Sequence, residues 1–158
     1  MTGRSLSYKR EKGLLHALFF TFGFGIMAWV PRFPEVKENL GLTNGQFGSL
    51  ISTGAVGSFV SLMTVGHLVH KFGATIILRA AAISLTFASI ILVYTHSTFI
   101  FLITNIVWGA AISAFHISIN SQGFAFQDRT SKLVITQLSG IWSSGALATS
   151  VVAGLLVD

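Results

Sequence analysis

Asn105, Gly109, Ser113, His116 and Asn120 recur at three- and four-residue steps. On a helix of 3.6 residues per turn they form one polar stripe. The stripe lies inside an apolar run, where polar side chains face hydrocarbon only at a cost. It therefore meets either other helices, through hydrogen bonds, or a water-filled cavity. His116 carries the proton chemistry of this set. An imidazole titrates near neutral pH, and its neutral form donates from one nitrogen while accepting at the other. It can relay a proton or bind a solute hydroxyl. His16, near the inner end of an earlier apolar run, suits a structural hydrogen bond better.

Other chemistries lack their residues. Glu11, Glu35, Glu38, Asp128 and Asp158 all fall in tails, loops or helix ends. No carboxylate pair is available for an intramembrane aspartyl protease, and the commonest proton-coupling group is missing from the apolar runs. His67 and His70 lie three apart beside Lys71, too few ligands for a zinc site and next to an opposing charge. There is no phosphate-cradling glycine loop, no supported Ser-His-Asp set and no cysteine. The expectation is a protein that is not an enzyme and takes no metal and no cofactor.

The elements that must position the polar stripe are membrane helices. Apolar residues make up 52% of the chain and charged residues 9%, against about a quarter charged in soluble domains. Runs near 13–30, 46–69, 74–94, 98–124 and 133–157 are each long enough to cross a bilayer. Residues 1–12 read as a basic, loosely ordered cytoplasmic tail, and 13–158 as one transmembrane helical domain. Arg4, Lys9, Arg10, Lys12, Lys71, Arg79, Arg129 and Lys132 fall on one side of the alternating topology, and only Arg32 and Lys37 on the other. That bias puts the N-terminus in the cytoplasm. The net charge of +5 is spread over tail and loops rather than one face, so nucleic acid is not an expected partner. The first run ends Ala28-Trp29-Val30-Pro31, with no small-x-small cleavage site, and reads as a retained signal anchor.

Within the runs, Trp29 is expected at the outer interface. Pro31 and Pro34, the only prolines, end the first helix. Thr43 or Asn44 is placed to cap the second. That second helix carries small residues at four-residue spacing, Gly45, Ser49, Thr53, Gly57 and Ser61, a seam that admits another helix closely. The third run is plain apolar scaffold. The first half of the fifth is too polar to face lipid.

Gly66, Leu68, Lys71, Phe72 and Gly73 match a short basic loop between two spans. This loop resembles the one after the second helix of major facilitator superfamily transporters, although His70 stands at its acidic position and Ala74 and Thr75 at its basic pair. Trp29-x-x-Arg32-x-Pro34, Leu40-Gly41-Leu42-Thr43 and Gln46-x-Gly48 extend the resemblance to a branch with sugar-permease-like and uncharacterised inner-membrane transporters. The resemblance implies an all-α membrane protein of five transmembrane helices, an incomplete N-terminal half of a major-facilitator-type bundle. It implies a secondary transporter of a small solute by alternating access in the inner membrane, this chain being a fragment or truncated part of a longer permease. Its partners would be membrane lipid, a small-molecule solute and a missing C-terminal half. Phe20, Phe24, Asn105, His116 and Asn120 become substrate-cavity candidates, with Gln137 and Trp142 behind them. Gly66, His70, Lys71 and Gly73 become the inner-gate loop. A second reading is a non-transporting membrane subunit or remnant that binds a partner through the seam of the second helix.

Overall fold

The computed structural model describes residues 2–156, and among these every regular element is helical. The helices are α1 (Thr2–Met27), α2 (Phe33–Asn39), α3 (Asn44–Ser52), α4 (Gly54–Phe72), α5 (Ala74–Tyr94), α6 (Thr98–Thr130) and α7 (Ile135–Leu156), with one 3-10 turn at Val30–Arg32. Four stretches among the described residues are long and apolar enough to cross a membrane: Tyr8–Asn39, Asn44–Phe72, Ala74–Tyr94 and Thr98–Thr130. The fifth long helix, α7, has 22 residues. This is an all-α membrane protein.

Two compact units divide the chain. One joins Met1–Ala28 to Ile119–Asp158, and the other is Trp29–Ser118. The 33-residue α6 supplies helix to both.

In the first unit α1 begins at Thr2, eleven residues before the expected start of the first span. The basic tail is therefore helical rather than loosely ordered. Its inner turns are held by side chains. The Tyr8 ring stacks on Phe126 at 5.3 Å, Lys132 Nζ lies 4.7 Å above Tyr8, and Glu11 pairs with Arg129. The same contacts carry α6 to Thr130, beyond the expected end near 124. Ser131 then takes a positive φ of 53° and turns the chain. Gln127 Oε1 accepts from the Val134 and Ile135 N–H groups at 3.0 and 3.4 Å, so a side chain from the end of α6 caps the start of α7.

In the second unit the prolines act as expected. Pro31 lies in the 3-10 turn and Pro34 in the first turn of α2, where a missing N–H costs nothing. Gly41 takes φ +64°, the left-handed conformation that glycine adopts without a Cβ clash. Thr43 then caps α3 with Gln46 in a reciprocal pair. One end of this unit is an aromatic core of Trp29, Val36, Phe47, Leu50, Leu92, Val93 and Phe101. Trp29 is 5% exposed, edge-on to Phe33 at 4.6 Å and to Trp108 at 5.0 Å. The ring expected to face the membrane interface is packed against protein. The short α2 folds back and encloses the ring, which sequence position alone did not imply.

The second span, Asn44–Phe72, is interrupted at Thr53, which separates α3 from α4.

Candidate functional site

Each unit is built on one close helix pair cleared by glycine. In the second unit α4 lies against α6. A methyl on Gly57 would strike the Ile106 carbonyl, and a methyl on Gly109 would strike the Gly54 backbone. Ser58 Oγ donates to the Gly109 carbonyl at 2.9 Å. In the first unit α1 lies against α7. Gly23 faces the Trp142 carbonyl and Gly145 faces the Phe20 carbonyl, with no room for a Cβ at either. Thr149 Oγ1 donates to the Phe24 carbonyl at 2.8 Å. Both pairs use small residues for backbone approach and a hydroxyl to bind the facing helix, the packing mode of helices in lipid.

The polar stripe of α6 divides between these surroundings. Asn105 is 1% exposed. Its Nδ2 lies 3.1 Å from the Leu50 carbonyl, 2.8 Å from the Ile51 carbonyl and 3.0 Å from Thr53 Oγ1. These are the acceptors at the break between α3 and α4, so its amide protons serve the backbone. Gly109 is buried in the α4 contact, and Ser113 is half-buried. His116 is exposed, and Asn120, one turn on, is half-buried.

The remaining cavity candidates lie in the first unit. Phe20 is 40% exposed and stacks on the half-buried Phe24 at 6.3 Å. Gln137 is exposed at the start of α7, and Trp142 is half-buried. Trp142 Nε1, His16 Nε2 and Gln122 Nε2 are buried nitrogens that make no hydrogen bond. Gln122 escaped sequence reasoning because it lies off the regular stripe. Its position on α6, next to the buried Gly123 against Phe19 and Leu138, emerges only from packing.

The expected inner-gate loop is corrected: Gly66, His70 and Lys71 lie in the last turns of α4, and only Gly73 lies between α4 and α5. His70 and Lys71 are exposed, and Lys71 Nζ lies 5.2 Å from the Phe72 ring centre. Gly66 has no neighbour where a Cβ would stand, and Gly73 ends α4 at φ +87°. The small-residue seam splits. Gly57 and Ser61 are buried, Thr53 is the break, and Gly45 and Ser49 remain exposed. Among the described residues no group of three His, Cys, Asp or Glu side chains is placed to hold a metal.

These features define a multi-pass helical membrane protein with buried polar groups on several of its long helices. Its sequence is similar to an uncharacterized MFS-type transporter of Yersinia pestis, 28% identical over 131 residues that cover 82% of this chain. It is also similar to membrane protein MosC of Rhizobium meliloti, 25% identical over 140 residues and 89% of this chain. The matched residues span 34% of the length of each of these relatives. No family model and no solved structure matches this chain. The helices make it an all-α membrane protein, and its sequence is similar to these two longer membrane proteins.

Proposed function

We propose that the chain forms part of a secondary transporter that moves a small solute across the inner membrane by alternating access. The likeness to an MFS-type transporter over most of the chain carries this reading. The polar interior of the first unit supports it, because His16, Gln122 and Trp142 hold unbonded nitrogens that solute oxygens can meet. Phe20, Phe24, His116 and Asn120 are the further cavity residues, with Gln137 at the inner end of α7. Asn105 belongs to this set through its backbone contacts rather than through solute. Gly66, His70 and Lys71 at the end of α4, with Gly73 after it, form the inner gate. Since the relatives are about two and a half times as long, the remaining helices of the transporter come from sequence outside this chain.

The test is uptake by cells expressing the complete reading frame that holds this chain, with a panel of sugars and organic acids. Saturable uptake is expected. His116→Gln should lower it at least several-fold, or flatten its pH profile, at unchanged membrane abundance. Absence of uptake for every class of solute would overturn the transporter reading. Wild-type uptake by His116→Gln at every pH would remove that residue from the cavity.

The N-terminus is proposed to be cytoplasmic, from the basic bias of the loops. Glu38 in α2 and Asp128 near the end of α6 are exposed, and the proposed topology assigns them to opposite sides of the membrane. Single cysteines at these two positions report the orientation. An impermeant thiol reagent added to intact cells should label residue 38 and leave residue 128 unmodified. The reverse pattern would invert the topology.

The subunit reading draws on the exposed Gly45 and Ser49 alone, since α6 already covers Gly57 in the seam.

A further inference from the structure

The break in the second span has an unusual hydrogen-bond arrangement. At Thr53 the chain tightens. Thr53 N–H donates to the Leu50 carbonyl at 3.2 Å, and Val56 N–H donates to the Thr53 carbonyl at 3.0 Å. These are bonds across three residues rather than four. Thr53 Oγ1 also donates to the Leu50 carbonyl, at 2.7 Å. The third donor comes from another helix. The Asn105 amide reaches both the Leu50 and Ile51 carbonyls from 55 and 54 residues away in sequence. In a straight helix those two carbonyls would bind the Gly54 and Ala55 N–H groups.

We propose that Asn105 is a latch on a hinge in the second span. With the latch closed, the span is interrupted at Thr53, as seen here, and is free to bend there. With it open, α3 and α4 join into one straighter helix. The exchange comes at little cost in hydrogen bonds, because the carbonyls have a donor in either state. This distinguishes a hinge from a fixed kink, in which opening would leave buried carbonyls bare. Gly54 makes the joint soft, as glycine lowers helix stability where it sits. It is also where the latch seats. A Cβ added there would lie 3.2 Å from Asn105 Nδ2 and 3.3 Å from Oδ1. On either side of the joint the span is anchored differently. Phe47 and Leu50 hold α3 in the aromatic core, and Gly57 and Ser58 hold α4 on α6. A joint between two anchors converts a local change of donors into relative motion of the two segments. Asn105 is thus a positioning residue. It sets the course of the second span without touching solute.

Spin labels at Ser49 and His67, both exposed, read the bend directly in the full-length protein in lipid nanodiscs. A straight helix would separate the two Cα atoms by about 27 Å. The wild type should show a shorter principal distance. Asn105→Leu, similar in size and unable to donate, should move the population toward the straight-helix distance. Gly54→Ala keeps the amide but crowds its seat, and should produce a smaller shift in the same direction. It also guards against misfolding of the leucine variant. Hydrogen exchange at the Gly54 and Ala55 amides should slow in both variants as those groups gain carbonyl partners. Unchanged distances with unchanged exchange in Gly54→Ala and Asn105→Leu would overturn the hinge. So would a bend that persists in a folded Asn105→Leu protein.

Discussion

Gly57→Ile should leave no correctly folded protein in the membrane, whereas Gly25→Ala should fold normally. Both glycines lie inside membrane helices, and a propensity scale treats them alike. A Cβ at Gly57 would collide with the Ile106 carbonyl and crowd the Ala110 nitrogen, while nothing lies within 4 Å of one at Gly25. The obstacle at Gly57 is backbone, which cannot rotate away as a side chain can. Either α4 moves off α6 or the variant fails. Separation breaks the Ser58 bond to the Gly109 carbonyl and opens the contact in which Gly54 faces Gly109. Overpacking a tight core costs about 1–3 kcal/mol for extra methylenes, and a branched side chain against backbone lies at or above the top of that range. Exchanging glycine for alanine at the open site gains up to about 1 kcal/mol of helix propensity. Monodisperse yield in detergent and the thermal unfolding midpoint check both. A folded Gly57→Ile protein with a wild-type midpoint would show that the α4–α6 approach is not as described.

Trp29→Ala should be the most damaging substitution in the segment between the first two spans. Arg32→Ala, three residues on, should be nearly silent. Trp29 is 5% exposed and meets Phe33 and Trp108 edge-on. Removing a buried aromatic side chain costs about 3–5 kcal/mol, through lost burial and the cavity left behind. Arg32 instead forms an exposed pair with Glu35, at 2.8 Å, and its guanidinium lies 5.9 Å from the Tyr94 ring centre. Exposed pairs contribute little because water screens them and two long side chains must be ordered. Trp29→Phe should recover much of the loss, since it restores an edge-to-face partner for Trp108. Thermal melts of the three variants give the ranking. A midpoint for Trp29→Ala within error of Arg32→Ala would mean that the aromatic core does not hold the second unit together.

That pair of residues also shows where sequence reading stops. Trp29, Arg32 and Pro34 stand together in a recognisable pattern, yet spacing cannot say which member is buried. An indole suits a membrane interface as well as a core, and only the return of α2 over the ring decides between them. The stripe on α6 is a similar case. Its periodicity was legible, because polar groups in an apolar run must share a face. The division of that face was not. Asn105 turns to the backbone of the second span because α3 ends beside it, while His116 lies on an exposed part of the same helix.

What the sequence determined by itself is the class of the protein. Scarce charge, long apolar runs and basic loops leave a helical bundle in lipid as the only way to satisfy the backbone. The proline and glycine signals placed the ends of the first and second spans, and the Thr43 cap, because they act on their own neighbours. The tertiary structure decided what depends on partners far along the chain. It extended α1 to Thr2 through contacts with residues 126–132. It divided the second span at Thr53, where a side chain from α6 replaces donors of the helix's own turn. It selected which glycines are indispensable, since Gly23, Gly57 and Gly145 touch facing backbone while Gly13, Gly25 and Gly140 face open space. Local propensity is a property of neighbouring residues. Close approach is a property of two helices, and no single window of sequence contains both.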